Sequence, residues 1–347
     1  MQWCCACRVA VSASSRCALE DSPGTFKDGG GNANTEPGKA SVKTKPGNFS
    51  WDTSSKTRSG READARCNVA WLSYILDVRN KINSKERLTS RIIPLTIPLD
   101  PDEQTGWKPY HQFRGTADNA DDFSCHVSVL VQGDCPHPPH THPEEEILLM
   151  LAGEANLILP QMPSSDGNQE LPLRRGQFVY YPSHFPHTLR AVSPKPANYL
   201  MFKWLAHSGV RNGQLGFGCF DALKPRNEGA AEHELPLLFE GPTGGMRKLH
   251  SHATTLPPSA GHASHAHAYE AAIVLLEGEL ETLGRRVGAH SIIFYAGGDP
   301  HSIHNPGDVT ARYVVFEFHG GKAESFYRKI TDLQRWKGKL KGILRLS

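Results

Sequence analysis

Residues 140–153 read HTHPEEEILLMLAG, and residues 265–278 read HAHAYEAAIVLLEG, so a His-x-His pair and a closing glycine recur 125 positions apart. A later pair, PSHFPH at 182–187 and AGGDPH at 296–301, recurs at an offset of 114. The 11 lost positions fit an extra hairpin loop, 160–172, in the first copy. Two copies of one β unit are the simplest interpretation.

Strand geometry explains why this spacing suits a metal. Side chains alternate faces along a strand, so His140 and His142 project to one side. Glu146 keeps that parity and Glu145 does not. His187, from a later strand or turn, completes three imidazoles and one carboxylate. Such a set suits Fe, Mn, Ni, Co or Zn.

Composition and charge exclude several protein classes. The longest apolar runs, such as 147–152, are far shorter than the roughly 20 residues of a transmembrane helix, so no transmembrane segment is expected. Residues 93–321 carry 15 Lys or Arg against 25 Asp or Glu, and all 18 histidines lie between His111 and His319. An acidic body matches nucleic-acid phosphates poorly, so we expect no nucleic-acid partner. It suits a divalent cation better.

The ends of the chain differ from the middle. Residues 21–60 contain almost no aliphatic side chains, so we expect 1–90 to be a largely disordered tail with one helix around 62–83. From about residue 91, short segments rich in β-branched or aromatic residues alternate with turn residues, which is typical of sandwiches or barrels. Spaced apolar residues among basic ones predict a C-terminal helix over 322–347.

The motif spacing resembles a known family. His-x-His-x3-Glu-x6-Gly, followed by Gly176-x5-Pro182-x4-His187, is similar to the two motifs of the cupin superfamily. The second copy keeps the later motif through Gly298, His301 and Asn305.

Both copies together resemble a bicupin. The resemblance implies an all-β fold of two tandem cupin barrels of the double-stranded β-helix (jelly-roll) type. The first barrel is expected over 91–205 and the second over 245–321, with a connector at 206–244 between them.

The resemblance also implies a metal site in each barrel. The residues carried across are His140, His142, Glu146 and His187 in the first, and His265, His267 and His301 in the second. In the second copy, Ala271 stands at the position of the carboxylate ligand. Glu270, one residue earlier, has the wrong parity unless a β-bulge re-aims it. The second centre is therefore three-histidine, three-histidine with a shifted Glu270, or vacant.

Other residues near the motifs are candidates for supporting the ligands or for moving protons. They are His184, which stands where the family's second motif has glycine, His304 and Tyr269. Sequence proximity alone fixes no geometry, so no catalytic group is assigned from the sequence.

The resemblance implies a metal-dependent enzyme that acts on a small organic substrate. Three-histidine centres occur in thiol, diketone and gentisate-type cupin dioxygenases, and both ligand sets are compatible with iron. We therefore expect an oxygen-using dioxygenase. A redox-silent isomerase, decarboxylase or hydrolase of the bicupin type is the alternative, as is a non-catalytic small-molecule-binding or storage cupin.

The expected cofactor is a divalent transition metal, with Fe or Mn favoured over Ni, Co or Zn. Many cupins are oligomers, so a homo-oligomer is a further expectation. We expect the protein in the cytoplasm, with an N-terminal targeting segment as the open alternative.

Overall fold

A computed structural model describes residues 86–120, 122–159, 169–205, 215–224 and 237–320. These residues form strands and no helix. The first ten strands are β1 (Arg91–Pro94), β2 (Trp107–Gly115), β3 (Asp122–Leu130), β4 (Glu145–Ala152), β5 (Glu154–Leu159), β6 (Gln169–Arg174), β7 (Gln177–Tyr181), β8 (Thr188–Ala191), β9 (Ala197–Leu205) and β10 (Gly218–Asp221). The other nine are β11 (Leu237–Gly241), β12 (Lys248–Leu256), β13 (Gly261–His265), β14 (Glu270–Glu277), β15 (Glu279–Thr282), β16 (Arg285–Gly288), β17 (Ser291–Tyr295), β18 (His301–His304) and β19 (Ala311–His319). The described chain is all-β.

The strands form two similar units, each with one large and one small antiparallel sheet. The first unit has the six-stranded order β10-β7-β4-β9-β3-β2 and the three-stranded order β6-β5-β8. The second has β1-β17-β14-β19-β12-β11 and β13-β18-β15-β16. Strands β4 and β14, which hold the central part of each sequence repeat, lie at equivalent positions in the two large sheets. We call the units the first and second barrel.

Strand β4 shows why the repeat contains an unbroken apolar run. Leu148 and Met150 pack into the core of the first barrel, while Ile147 and Leu149 pack into a core shared by both barrels. A strand buried on both faces needs apolar residues at every position. Full burial of each such side chain contributes roughly 1.5 to 3 kcal/mol.

Aromatic side chains join the two large sheets. The Phe123 ring lies 4.7 Å from that of Phe318 and 5.6 Å from that of Phe294, centroid to centroid. Phe178 meets Phe316 edge to face at 5.1 Å. Edge-to-face and offset pairs at these distances are favourable beyond the area that they bury. The barrels therefore pack against each other through their large sheets.

The outermost strand of each large sheet comes from an unexpected part of the chain. β1, inside the range predicted for the first barrel, pairs with β17 of the second. β10, inside the predicted connector, pairs with β7 of the first. β11, also in that connector, pairs with β12. The first strand of the described chain, β1, thus belongs to the large sheet of the second barrel, although the strands that follow it form the first barrel.

The glycine that ends each repeat has a structural reason. Gly153 and Gly278 have φ of +71° and +76°, a conformation that L side chains rarely adopt. A Cβ at Gly153 would lie 2.7 Å from the carbonyl oxygen of Pro196, and one at Gly278 would lie 2.7 Å from the Cα of Ala311. A larger residue has no room at either turn.

Most of the predicted tail and all of the predicted C-terminal segment, 322–347, lie outside the described residues. The helices predicted around 62–83 and over 322–347 are therefore not described. Residues 86–90 lie on the barrels, where Leu88 is buried and its amide donates to the carbonyl of Thr116. None of the described elements is a helix long and apolar enough to cross a membrane.

Candidate metal centres

Three histidines of the first barrel converge. The backbones of His140 and His187 exchange hydrogen bonds of 3.3 and 3.2 Å, which brings the first motif beside the second. His142 follows two residues later on the same side. The three ring centroids are 5.1 to 5.2 Å apart, and one ligand nitrogen from each ring lies within 4.8 Å of the others. We call this set the first centre.

Glu146 joins the first centre from strand β4. Its Oε2 lies 3.2 Å from His142 Nε2, and its Oε1 lies 3.9 Å from His187 Nε2. The Glu146 carboxylate thus lies on the same side of the strand as His142. Lys203 on β9, directly opposite Glu146 in the sheet, places its Nζ 3.0 Å from Oε2. Lys203 could not be selected from the sequence, because only the pairing of the strands makes it the neighbour of Glu146.

The histidine tautomers fit a metal. His142 Nδ1 lies 3.1 Å from the carbonyl oxygen of Glu144, and His187 Nδ1 lies 2.8 Å from that of Phe185. A proton on each Nδ1 leaves the Nε2 lone pair aimed inward. Among the described residues, neither Nε2 makes a hydrogen bond. Backbone carbonyls that hold the other ring nitrogen are the usual orienting groups of metal-bound histidines.

Burial and charge favour the metal-binding forms of His140, His187 and Glu146. Burial lowers the pKa of His140 to about 3 and that of His187 to about 4. For Glu146, burial raises the pKa, but the charge of Lys203 and the neighbouring histidines outweigh burial and hold it well below its usual value. For His142, burial lowers the pKa, but the nearby carboxylates of Glu144 and Glu146 outweigh burial and raise it, so a metal ion would compete with a proton for this ring. Neutral imidazoles and an ionised carboxylate are the forms that bind cations.

The second centre repeats this geometry with three histidines. His265 on β13 pairs with His301 on β18, and His267 lies two residues past the first. The ring centroids lie 4.5 to 5.4 Å apart. Nε2 of His265 and Nε2 of His267 are 2.8 Å apart. Burial, followed by the other two histidines, lowers the pKa of His267 to about 4.

Glu270, named in the sequence analysis as a shifted ligand, points away from the second centre. Its Oε1 accepts a hydrogen bond of 2.6 Å from the amide of Asp118, and its Oε2 accepts one of 2.6 Å from Asn119 Nδ2. The register shift in β14 lies between Leu275 and Glu277, so no bulge re-aims Glu270. Strand parity therefore directs this carboxylate to the other face of the sheet.

Glu145 corresponds to Glu270 in the other copy of the repeat, and it likewise accepts hydrogen bonds away from the metal centre. Its Oε2 accepts hydrogen bonds of 2.8 Å from Trp204 Nε1 and Thr243 Oγ1. Thr243 belongs to the loop between β11 and β12 of the second barrel, and Asp118 belongs to the equivalent loop of the first. Each barrel thus offers a buried carboxylate to a loop of the other. Burial raises the pKa of both Glu145 and Glu270, against the lowering effect of these hydrogen bonds.

A fourth histidine stands beside each centre. The His137 ring lies 3.9 Å from that of His140, and the His262 ring lies 4.7 Å from that of His265. The sequence analysis did not select His137. Its position could have been recognised from the sequence, because His137 and His262 are separated by the same 125 positions as the motif histidines His140 and His265.

The three residues considered as supporting groups have different environments. The Tyr269 ring stacks 4.7 Å from that of His267, so it contacts a candidate ligand. His184 is exposed and has φ of +60°, and its amide donates to the carbonyl of His142 at 2.7 Å. It thus acts through its backbone at the place where the second copy has Gly298, whose amide donates to His267. His304 is exposed on β18.

A cavity of about 310 Å³ opens beside the second centre. The histidines of the centre form part of its wall, and apolar side chains including Ile273, Ile303 and Tyr295 form another part. The Tyr295 ring stacks on that of His301 at 3.9 Å. In the first barrel, the larger Glu146 stands at the position of Ala271, and the larger Met201 stands at that of Val315. The volume is that of a small-molecule site.

Comparison with known proteins adds the following. The family model described as Cupin domain matches residues 126–203, from β3 to β9, which include the first centre. The crystal structure of AerE from Microcystis aeruginosa is similar at 14% identity and a TM-score of 0.45, with 68% of this chain and 99% of that chain covered. A putative glyoxylate induced protein from Pseudomonas aeruginosa is similar at 15% identity and a TM-score of 0.49, with 66% and 89% covered.

A deletion mutant of the oxalate decarboxylase OxdC from Bacillus subtilis is similar at 14% identity and a TM-score of 0.40, with 67% of this chain and 78% of that chain covered. None of the curated proteins matches the sequence. At such identities and TM-scores, nothing about activity follows from these structures.

Proposed function

The chain belongs to the cupin superfamily, and from that premise we propose that it is a metal-dependent enzyme that acts on a small organic substrate in the cavity of the second barrel. One observation carries the proposal: the imidazoles of His265, His267 and His301, which bring one ligand nitrogen each within 4.8 Å of the others, line a cavity of about 310 Å³. A metal held by those rings would meet any molecule bound there.

The two barrels support different roles. In the first, Lys203 contacts the carboxylate of Glu146, and Met201 stands where the second barrel has the smaller Val315. In the second, the centre has no carboxylate at the equivalent position, because that residue is Ala271. Three neutral imidazoles leave the charge of a divalent ion uncompensated. The second centre therefore favours a substrate with an anionic oxygen, such as a carboxylate or an enolate.

A bound Fe or Mn ion would supply redox chemistry or polarise a substrate oxygen at this centre. Residues of the second barrel orient the His301 ligand and shape the cavity beside it. His301 Nδ1 lies 3.1 Å from the carbonyl oxygen of Asp299, which orients the ring and leaves Nε2 for the ion. Tyr295 packs flat on that ring and fixes its plane. Ile273 and Ile303 give the cavity an apolar part of its wall, against which a substrate would be shielded from water.

The reaction proposed first is an oxygen-dependent dioxygenation. The three-histidine set supports it, because few protein ligands leave room for both a bidentate organic anion and oxygen. A redox-silent isomerisation, decarboxylation or hydrolysis is the second candidate. It is favoured by Glu317, which lines the same cavity. Its carboxylate lies 2.9 Å from His319 Nε2, so this pair could carry a proton to or from a bound substrate.

Oxygen uptake and product analysis separate these reactions. The full chain, stripped of metal and reloaded anaerobically with Fe(II) or Mn(II), is offered a panel of small carboxylic acids, diketones and thiols. Turnover with stoichiometric oxygen uptake, lost in His301→Ala and kept in His304→Ala, is the expected result. His304 is the matched control because it lies exposed on the same strand.

Turnover without oxygen uptake would refute the dioxygenase and support the redox-silent reaction. Turnover that survives His301→Ala would refute the second centre as the active site. Binding of panel members without any turnover would favour a non-catalytic binding protein.

A further inference from the structure

A second cluster of ligand-type side chains lies in the second barrel, next to the cavity. His250 and His252 stand two residues apart on β12, and Glu317 lies directly opposite His250 on β19. One ligand atom from each lies within 4.8 Å of the others. His252 and Glu317 also line the cavity that reaches the second centre. We call these three residues the β12–β19 cluster.

The nitrogen geometry of the cluster is that of a ligand pair. His250 Nδ1 lies 2.8 Å from Oε2 of Glu240, so that carboxylate holds the ring with its proton on Nδ1. His250 Nε2 then accepts a hydrogen bond of 3.0 Å from His252 Nδ1, and a cation held between the two rings would replace the shared proton. Two nitrogens on a tetrahedral ion, with bonds of about 2.0 to 2.1 Å, lie about 3.3 Å apart.

The acid–base state of the cluster also suits a cation. Burial, followed by the charge of His250, lowers the pKa of His252 to about 4. Burial raises the pKa of Glu317, but its hydrogen bond with His319 and the nearby histidines outweigh that and leave it lowered. The side chains of Glu317 and His250 are only 15% and 18% exposed. Lys248 places its ammonium group 3.2 Å from Oε2 of Glu240, the same carboxylate oxygen that holds His250.

Comparison of the two repeats shows what changed. In the first barrel, Lys203 on β9 is paired with both Ser124 and Glu146. In the second, Glu317 takes the place of the lysine. Its cross-strand partners are His250 and Ala271, at the positions of the serine and the glutamate. Where the first barrel has the ammonium group of Lys203, the second barrel has the carboxylate of Glu317 and, beside it, the imidazole of His250. This combination suits a bound cation in place of the lysine.

We propose that His250, His252 and Glu317 bind a second divalent transition-metal ion, of the Zn²⁺ class, beside the three-histidine centre. Two imidazoles and one carboxylate are a ligand set that leaves a coordination position open, and here that position faces the cavity. The second barrel then presents two ions to one substrate space. This site goes beyond the proposed function and does not depend on it.

Zn²⁺ titration of the metal-stripped full chain tests the proposal. Calorimetry and metal analysis after gel filtration give the number of ions bound per chain. His250→Ala/His252→Ala is expected to bind one equivalent fewer than the wild type, and His265→Ala/His267→Ala to lose a different equivalent. The combination of all four changes is expected to lose two. His304→Ala, which removes an exposed histidine, is expected to lose none.

Two further variants guard against simple unfolding. Glu317→Gln keeps the shape of the side chain and is expected to weaken the same equivalent at least about tenfold. Glu317→Lys copies the first barrel, and it is expected to abolish that equivalent while the thermal transition remains cooperative.

Unchanged stoichiometry and affinity in His250→Ala/His252→Ala would overturn the proposal. Failure of the proposed function gives a different pattern. Loss of turnover, or a three-histidine centre that binds no ion, leaves the effect of the His250 and His252 changes intact.

Discussion

Ala271→Glu tests the electrostatic difference between the barrels, because it restores the carboxylate that the first barrel has as Glu146. Ala271 is 5% exposed and lies opposite Glu317 in the sheet. Two carboxylates at about 5 Å repel by about 3 kcal/mol at an effective dielectric constant of about 20. No lysine occupies the position that Lys203 has in the first barrel. The metal-free variant is therefore expected to be less stable than the wild type.

Thermal unfolding by calorimetry, with and without Zn²⁺ or Mn²⁺, measures the effect. A loss of about 3 kcal/mol lowers the Tm of the metal-free protein by roughly 6 to 12 °C. The added carboxylate also gives the ion a further ligand, so metal is expected to raise the Tm of Ala271→Glu more than that of the wild type. Ala271→Glu/Glu317→Lys is the matched control, since it rebuilds the ion pair of the first barrel. It is expected to recover the stability of the metal-free protein and to lose the extra response to metal.

An unchanged Tm in metal-free Ala271→Glu would refute the reasoning. So would a double variant that is no more stable than the single one, because the cost would then come from crowding and not from charge.

Two further predictions concern stability. Glu270→Ala removes the acceptor for the Asp118 amide and Asn119 Nδ2 and leaves these donors without a partner. Chemical denaturation is expected to show a free energy of unfolding lower by about 2 to 4 kcal/mol, and almost no change for the control Glu281→Ala, whose side chain is exposed. Equal effects of the two changes would contradict the role of Glu270 in joining the barrels. Burial lowers the pKa of His126 from 6.5 to about 3, so below pH 6.5 the unfolded chain takes up a proton that the folded chain does not. The free energy of unfolding therefore decreases as the pH is lowered, by about 2 kcal/mol at pH 5 from this residue alone. His126→Gln is expected to remove this part of the dependence of the unfolding free energy on pH. An unaltered pH dependence would contradict the prediction.

The repeat and the strand parity could be predicted from the sequence. The offset of 125 between His140 and His265 predicted two equivalent units, and the structure has two sets of sheets with equivalent central strands. Parity separated Glu146, which faces His142, from Glu145, which faces the other barrel. Such features can be predicted because alternation along one strand is a local property of the chain.

Features that depend on which strands become neighbours could not be predicted. The approach of Lys203 to Glu146 and of Glu317 to His250 follows from sheet order and register. The same holds for β1, which the sequence places next to the first barrel and the fold places in the second. The bulge that would have turned Glu270 towards the metal is absent from β14 at that position. The carboxylate instead meets a loop about 150 residues earlier in the chain, as the 151 positions between it and Asn119 show.

The metal content of the purified full chain tests the central claim most directly. We expect mass-spectrometric metal analysis to find one equivalent fewer in His140→Ala/His187→Ala than in the wild type, and likewise one fewer in His265→Ala/His301→Ala, with cooperative unfolding in both. The same metal content in all three proteins would contradict the claim that the imidazoles of each repeat hold a common ion.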